Sequence, residues 1–159
     1  MCIRDRDGAL HDKRVRQAIA LAIDRPAIIA SLWRGHARLA ESLLPEGHWA
    51  AAAHDQLTQY PHDPTRAQAL LDAAGYRADK TGVRIRLTLK VSTEEETRLL
   101  AAVLQQQLRA AGIQLSIRSA EFGTFYSDVT KGAFQMYVLK WVGSNAVSYT
   151  HLDVYKRQS

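Results

Sequence analysis

Between Val83 and Arg118 the hydrophobic period of this chain changes twice. Val83, Ile85, Leu87, Leu89 and Val91 alternate with Arg84, Arg86, Thr88 and Lys90, the period of two expected of a strand with one buried face. From Glu94 the spacing lengthens, and Leu99, Leu100, Val103, Leu104 and Leu108 fall on one stripe of a helix. Thr93 and Glu96 fit a capping box at its start, and Gly112 fits the left-handed turn at its end. Ile113, Leu115 and Ile117 then alternate with Gln114, Ser116 and Arg118, which predicts a second strand. Strand, helix of about five turns and strand make a βαβ unit. The helix is long enough to carry the chain back, so the strands are expected parallel and the crossover right-handed. A helix with one apolar stripe cannot bury it alone; it needs the sheet, and the sheet needs further elements.

The remaining segments supply them. Asp12 caps a predicted helix over Arg14–Ile23, with Val15, Ala18, Ile19, Ala22 and Ile23 on one face. Asp24 caps again, Pro26 sits early in the next turn, and Ala27–Trp33 continue to a stop at Gly35. This corner of two helices is expected to pack on the sheet. His36–Tyr60 has weak periodicity and reads as an extended surface connection. Asp63 and Pro64 start a further helix, Ala67, Leu70, Leu71 and Ala74 form its stripe, and Gly75 ends it. Tyr76–Gly82 is a polar turn. A short helix is predicted over Thr124–Thr130, with Phe125, Tyr126 and Val129 inward, and a third strand over Ala133–Trp141. The fold class is therefore α/β, an open β-α-β-α-β sheet flanked by helices.

Both ends join poorly to this pattern. MCIRDR and VSYTHLDVYKRQ resemble translated adapter read-through from assembled sequencing reads, so residues 1–6 and 147–159 are set aside as artefact-like tails and 7–146 kept as the domain. That removal lowers the formal charge from +5 to +3. The remaining Lys and Arg are scattered over polar faces without a basic cluster among aromatics, so nucleic acid is not an expected partner. No apolar run approaches the roughly 18–20 residues of a membrane span, and no start of the secretory type is present. The one cysteine, Cys2, makes no intrachain disulfide.

Catalytic patterns are missing from the sequence. There is no Gly-x-Ser-x-Gly, and His11, His36, His48, His54, His62 and His151 lie in loops or tails without metal-ligand spacing. His48 and His54 share a loop but read as exposed loop residues. Glu94, Glu95 and Glu96 fall in a helix's first turn, where carboxylates complement the dipole. No glycine-rich phosphate loop follows a strand, and no cofactor or metal is expected. What remains is a site by geometry: in open α/β sheets ligands sit outside the carboxyl ends of the strands. The third predicted strand ends in Trp141, Val142, Gly143, Ser144 and Asn145. Gly and Ser allow close backbone approach, Asn can donate and accept, and Trp141 reads either as a flat ligand surface or as a core anchor.

Five segments together resemble the family 5 extracellular solute-binding proteins of ABC transporters, the peptide-, dipeptide- and nickel-binding class. They are Arg14–Arg25; Tyr60–Pro64 with Ala67, Leu70, Leu71 and Ala74–Tyr76; Leu108 with Ala111–Ile113; Phe134–Tyr137; and the run to Trp141. The resemblance implies a lobe of the type II periplasmic-binding-protein fold, incomplete here, from a two-lobe protein that closes on its ligand without bond chemistry. It implies a peptide or other small solute as ligand, an ABC permease as partner, and a periplasmic or lipid-anchored location. Trp141, Gly143, Ser144 and Asn145 map to the cleft side. Nickel or another solute in place of peptide, and a complete intracellular regulatory α/β domain, remain as alternatives.

Overall fold

The structure, a computed structural model, describes residues 1–3, 8–39, 49 and 53–140. The chain divides into two units, Met1–Ala37 with Tyr60–Leu139 and Arg38–Gln59 with Lys140–Ser159. In the second, the described residues include one short 3-10 turn, His54–Gln56. All the elements below belong to the first.

The change of period builds the centre of the sheet. Strands β2 (Ile85–Ser92) and β3 (Ile113–Ala120) are parallel, in register from Ile85 opposite Ile113 to Ser92 opposite Ala120. Helix α4 (Glu95–Ala110) connects them. Strand β4 (Met136–Tyr137) lies parallel on the other side of β2. A two-residue strand β1 (Cys2–Ile3), from the segment kept out of the domain on sequence grounds, pairs antiparallel with β4. The order is β1-β4-β2-β3.

The third strand is shorter than its alternation predicts. At Gln135 the side chain takes over from the backbone: its Oε1 accepts the Thr88 N–H at 2.8 Å, and the ladder closes with Val138 N–H on Lys90 O at 3.1 Å. Met136 and Val138 are still buried, so the alternation holds although the regular pairing does not.

Helix α4 forms where expected, but its start and its face differ. It begins at Glu95 with no side-chain cap, so the Thr93–Glu96 box does not form. Glu96 Oε1 instead accepts the Trp33 indole N–H at 2.8 Å, and the Thr97 hydroxyl donates to Glu94 at 3.1 Å. The buried stripe is Thr97, Ala101, Leu104 and Leu108; Leu100 and Val103 flank it half-buried, and Leu99 is 51% exposed. Leu99 lies two positions from Thr97, roughly 200° around the helix, so it points away from the stripe's centre.

The first helices start at their predicted caps. Asp12 accepts from Arg14 N–H ahead of α1 (Lys13–Ala22), Asp24 from Ala27 N–H ahead of α2 (Arg25–Trp33), and Asp63 from Arg66 N–H ahead of α3 (Pro64–Ala73). The main neighbours of the α1–α2 corner are α3 and α4 rather than the sheet. Asp63 N–H donates to Leu21 O at 2.8 Å, and the Gln107 amide of α4 clamps Asp24, accepting its N–H at 3.0 Å and donating to its O at 3.3 Å. Val15, Ala18, Ile19, Leu71, Leu104, Leu108, Ile85 and Leu87 therefore share one apolar cluster on the α4 side of the sheet.

Helix α5 (Phe122–Thr130) lies on the other side, two residues longer at its start than predicted. Phe125 is buried and meets Tyr137 edge-on at 6.3 Å. Tyr126 does not face inward: it is 48% exposed, stacked on Phe122 at 5.9 Å. Two large side chains one residue apart lie about 100° apart on a helix, so one buried position leaves the other outside.

Candidate functional site

Three parallel strands place their carboxyl ends along one edge. There β2 ends at Ser92 and α4 begins at Glu95; β3 ends at Ala120 and α5 begins at Phe122. Both helix N-termini thus stand on the edge where an open α/β sheet receives ligands. Glu95 and Glu96 occupy the first turn of α4, as their spacing predicts. At α5, Glu121 accepts the Gly123 N–H at 2.8 Å. A hollow of about 370 Å³ opens at α4, lined by Leu32, Glu94, Glu95, Glu96 and Leu99. Along the same edge the start of α5 presents the exposed Phe122–Tyr126 stack.

The sequence-predicted site residues Trp141, Gly143, Ser144 and Asn145 lie outside the described residues, as does His48. The structure does fix where the chain leaves the sheet: Val138 and Leu139 follow β4 at the carboxyl end, the end at which α4 and α5 begin. Sequence reasoning missed the Leu32–Leu99 hollow and the Phe122–Tyr126 surface because it assigned Leu99 and Tyr126 to the core. The available signal was the small-residue stripe of Thr97 and Ala101, which turns Leu99 outward.

The edge offers carboxylates, aliphatic contacts and flat aromatic faces, the groups of a binding surface. Among the described residues no cluster of three His, Cys, Asp or Glu is placed to hold a metal, and no helix is long and apolar enough to cross a membrane.

Comparison with known proteins gives this edge its context. The sequence matches the Bacterial extracellular solute-binding proteins, family 5 Middle, over residues 1–159. The chain belongs to this family. It is 32% identical over 136 residues to the Probable di/tripeptide-binding protein 5 of Pseudomonas aeruginosa strain UCBPP-PA14, covering 86% of this chain and 25% of that protein. It is 28% identical over 136 residues to the Dipeptide-binding protein of Escherichia coli K12, with the same two coverages. Among solved structures, NikA from Brucella suis in complex with Fe(III)-EDTA superposes with a TM-score of 0.78 at 27% identity, over 89% of this chain and 30% of that one. This family 5 chain spans about a quarter of the length of the curated relatives it matches. Its βαβ-based sheet has the type II periplasmic-binding-protein fold of these solved neighbours, of which it covers 30%. The matching family is one of extracellular solute-binding proteins, not of intracellular regulatory domains.

Proposed function

We propose that this chain is part of the substrate-binding component of an ABC importer and serves the uptake of short peptides. The observation that carries the reading is its 32% identity, over 86% of its length, to a di/tripeptide-binding protein. The component works by closing two lobes on the peptide and presenting it to a membrane permease, on the periplasmic or outer face of the cell, with no bond made or broken. In this reading the chain is a portion of the second lobe, residues 7–146 are its authentic part, and Trp141, Gly143, Ser144 and Asn145 line the cleft beyond β4. The carboxyl edge with its acidic first turn and exposed aromatic stack is consistent with a surface that meets a peptide's amine and side chains.

A chimera tests this. The 136 matched residues of this chain replace their counterparts in the Escherichia coli dipeptide-binding protein, and calorimetry follows binding of Ala-Ala. Affinity within about tenfold of the parent is the expected result, a change of up to about 1.4 kcal/mol. A folded chimera that ignores dipeptides overturns the reading. The relative solved with Fe(III)-EDTA favours a second one, a metal chelate as cargo; a chimera that takes Fe(III)-EDTA and no dipeptide would establish it.

A further inference from the structure

Away from α4, the sheet is only partly covered. Between α5 and strands β2 and β3 lies a hollow of about 400 Å³, lined by Thr88, Lys90, Arg118, Ser119, Phe125 and Asp128. Its volume is in the range of small-molecule sites. The parallel register sets Lys90 beside Arg118, and alternation places Thr88 on the same face. The charges do not cancel. Lys90 Nζ meets Asp128 Oδ2 at 2.6 Å, so that pair is neutral as a unit. Arg118 forms no ion pair among the described residues and leaves one uncompensated positive charge on the wall. The Ser119 hydroxyl is used, donating to Ser92 O at 3.2 Å, and the Thr88 N–H is used by Gln135. The Thr88 hydroxyl has no partner among the described residues. The ring of Phe125, 1% exposed, lies beneath the hollow and offers it almost no surface.

A cationic fork and a spare hydroxyl suit one kind of ligand. A guanidinium pairs a carboxylate through two parallel N–H···O bonds. The single uncompensated cation matches a single negative charge, and the neutral Lys90–Asp128 pair supplies no net charge for a second one. We propose that this hollow binds a small monocarboxylate, with the carboxylate on Arg118 and Thr88. The site is a property of this lobe alone and does not depend on the importer reading.

The test is an amide-resolved NMR titration of the 159-residue chain with sodium butyrate at pH 7, ionic strength held with sodium chloride. Saturable shifts at Thr88, Lys90, Ser119, Phe125 and Asp128 are expected, with a dissociation constant in the millimolar range, about −4 kcal/mol. Arg118→Gln weakens binding at least about fivefold and Arg118→Lys by less, since Lys keeps the charge without the fork. Arg118 is an exposed strand residue, so both variants retain the fold; should Arg118→Gln lose it, Arg118→Lys and Thr88→Val carry the comparison. Shifts that grow linearly without saturating overturn the proposal. So does equal binding in all the folded variants, or phosphate or succinate binding as tightly as butyrate.

Discussion

Gly112 meets two demands at once. Its φ of +84° is a left-handed conformation, and a Cβ there would stand 2.9 Å from Arg84 Cδ and 3.0 Å from Gly82 O. Neither neighbour is free to retreat. The Arg84 guanidinium is held by Asp72, and Arg84 N–H donates to Gly112 O at 2.7 Å. Gly75, with φ +91° and open space around it, meets only the first demand. Gly112→Ala is therefore expected to destabilise by about 2–4 kcal/mol and Gly75→Ala by about 1–2 kcal/mol, read from urea unfolding. Equal losses would show that the close approach carries no weight. A second residue-scale prediction concerns acid. The Thr81 hydroxyl, the Thr81 and Val83 N–H groups and Arg86 hold the Asp79 carboxyl well below its ordinary value of 3.8. A carboxylate depressed in the folded state contributes stability above the unfolded pKa and loses it as pH falls toward the folded one. Melting temperature should thus decline as pH drops below about 4, and Asp79→Asn should flatten that decline in circular dichroism melts between about pH 2.5 and 7. Identical slopes in both proteins would assign the acid sensitivity to other groups.

At the scale of elements, α4 separates what local sequence can tell from what it cannot. Leu108 is fully buried and Leu99 is half exposed, although both are leucines of one helix. Leu108→Ala should cost about 2–5 kcal/mol, and Leu99→Ala should stay within about 0.5 kcal/mol, by denaturant unfolding. A large loss at Leu99 would mean that the helix is rotated from the face described. The existence of α4 was legible because the change of period is local, and so were the starts of α1, α2 and α3, whose Asp caps bond within three residues. The face of α4 was not, because small Thr97 and Ala101 rather than the largest side chains mark its centre. The capping box was not either: Glu96 is claimed by Trp33, a residue 63 positions away that no local pattern reveals. The short β4 has a similar cause, since only the fold brings the Gln135 amide to Thr88. Family membership was legible in the order of five modest segments, and the match across the chain bears it out.

For the molecule as a whole, the governing fact is proportion. Small-molecule sites bury most of a ligand's surface, and in the proposed importer component two lobes share that task. A micromolar complex is worth about −8 kcal/mol, so half of the contacts would give about −4 kcal/mol, a millimolar constant. The true figure is weaker still, because the loss of translational and rotational freedom is nearly the same for half a site as for a whole one. This chain spans about a quarter of its relatives and, in the proposed reading, offers contacts from one lobe only. Calorimetry of the 159-residue chain with mixed di- to pentapeptides should therefore show no saturation below about 1 mM, even though the chimera binds. The two measurements divide the problem. Silence from the chain with binding by the chimera is what a shared cleft requires, because the second lobe restores the missing contacts without changing this one. Micromolar binding by the chain alone would mean that the ligand needs no second lobe, and the two-lobe mechanism would have to be abandoned for this protein.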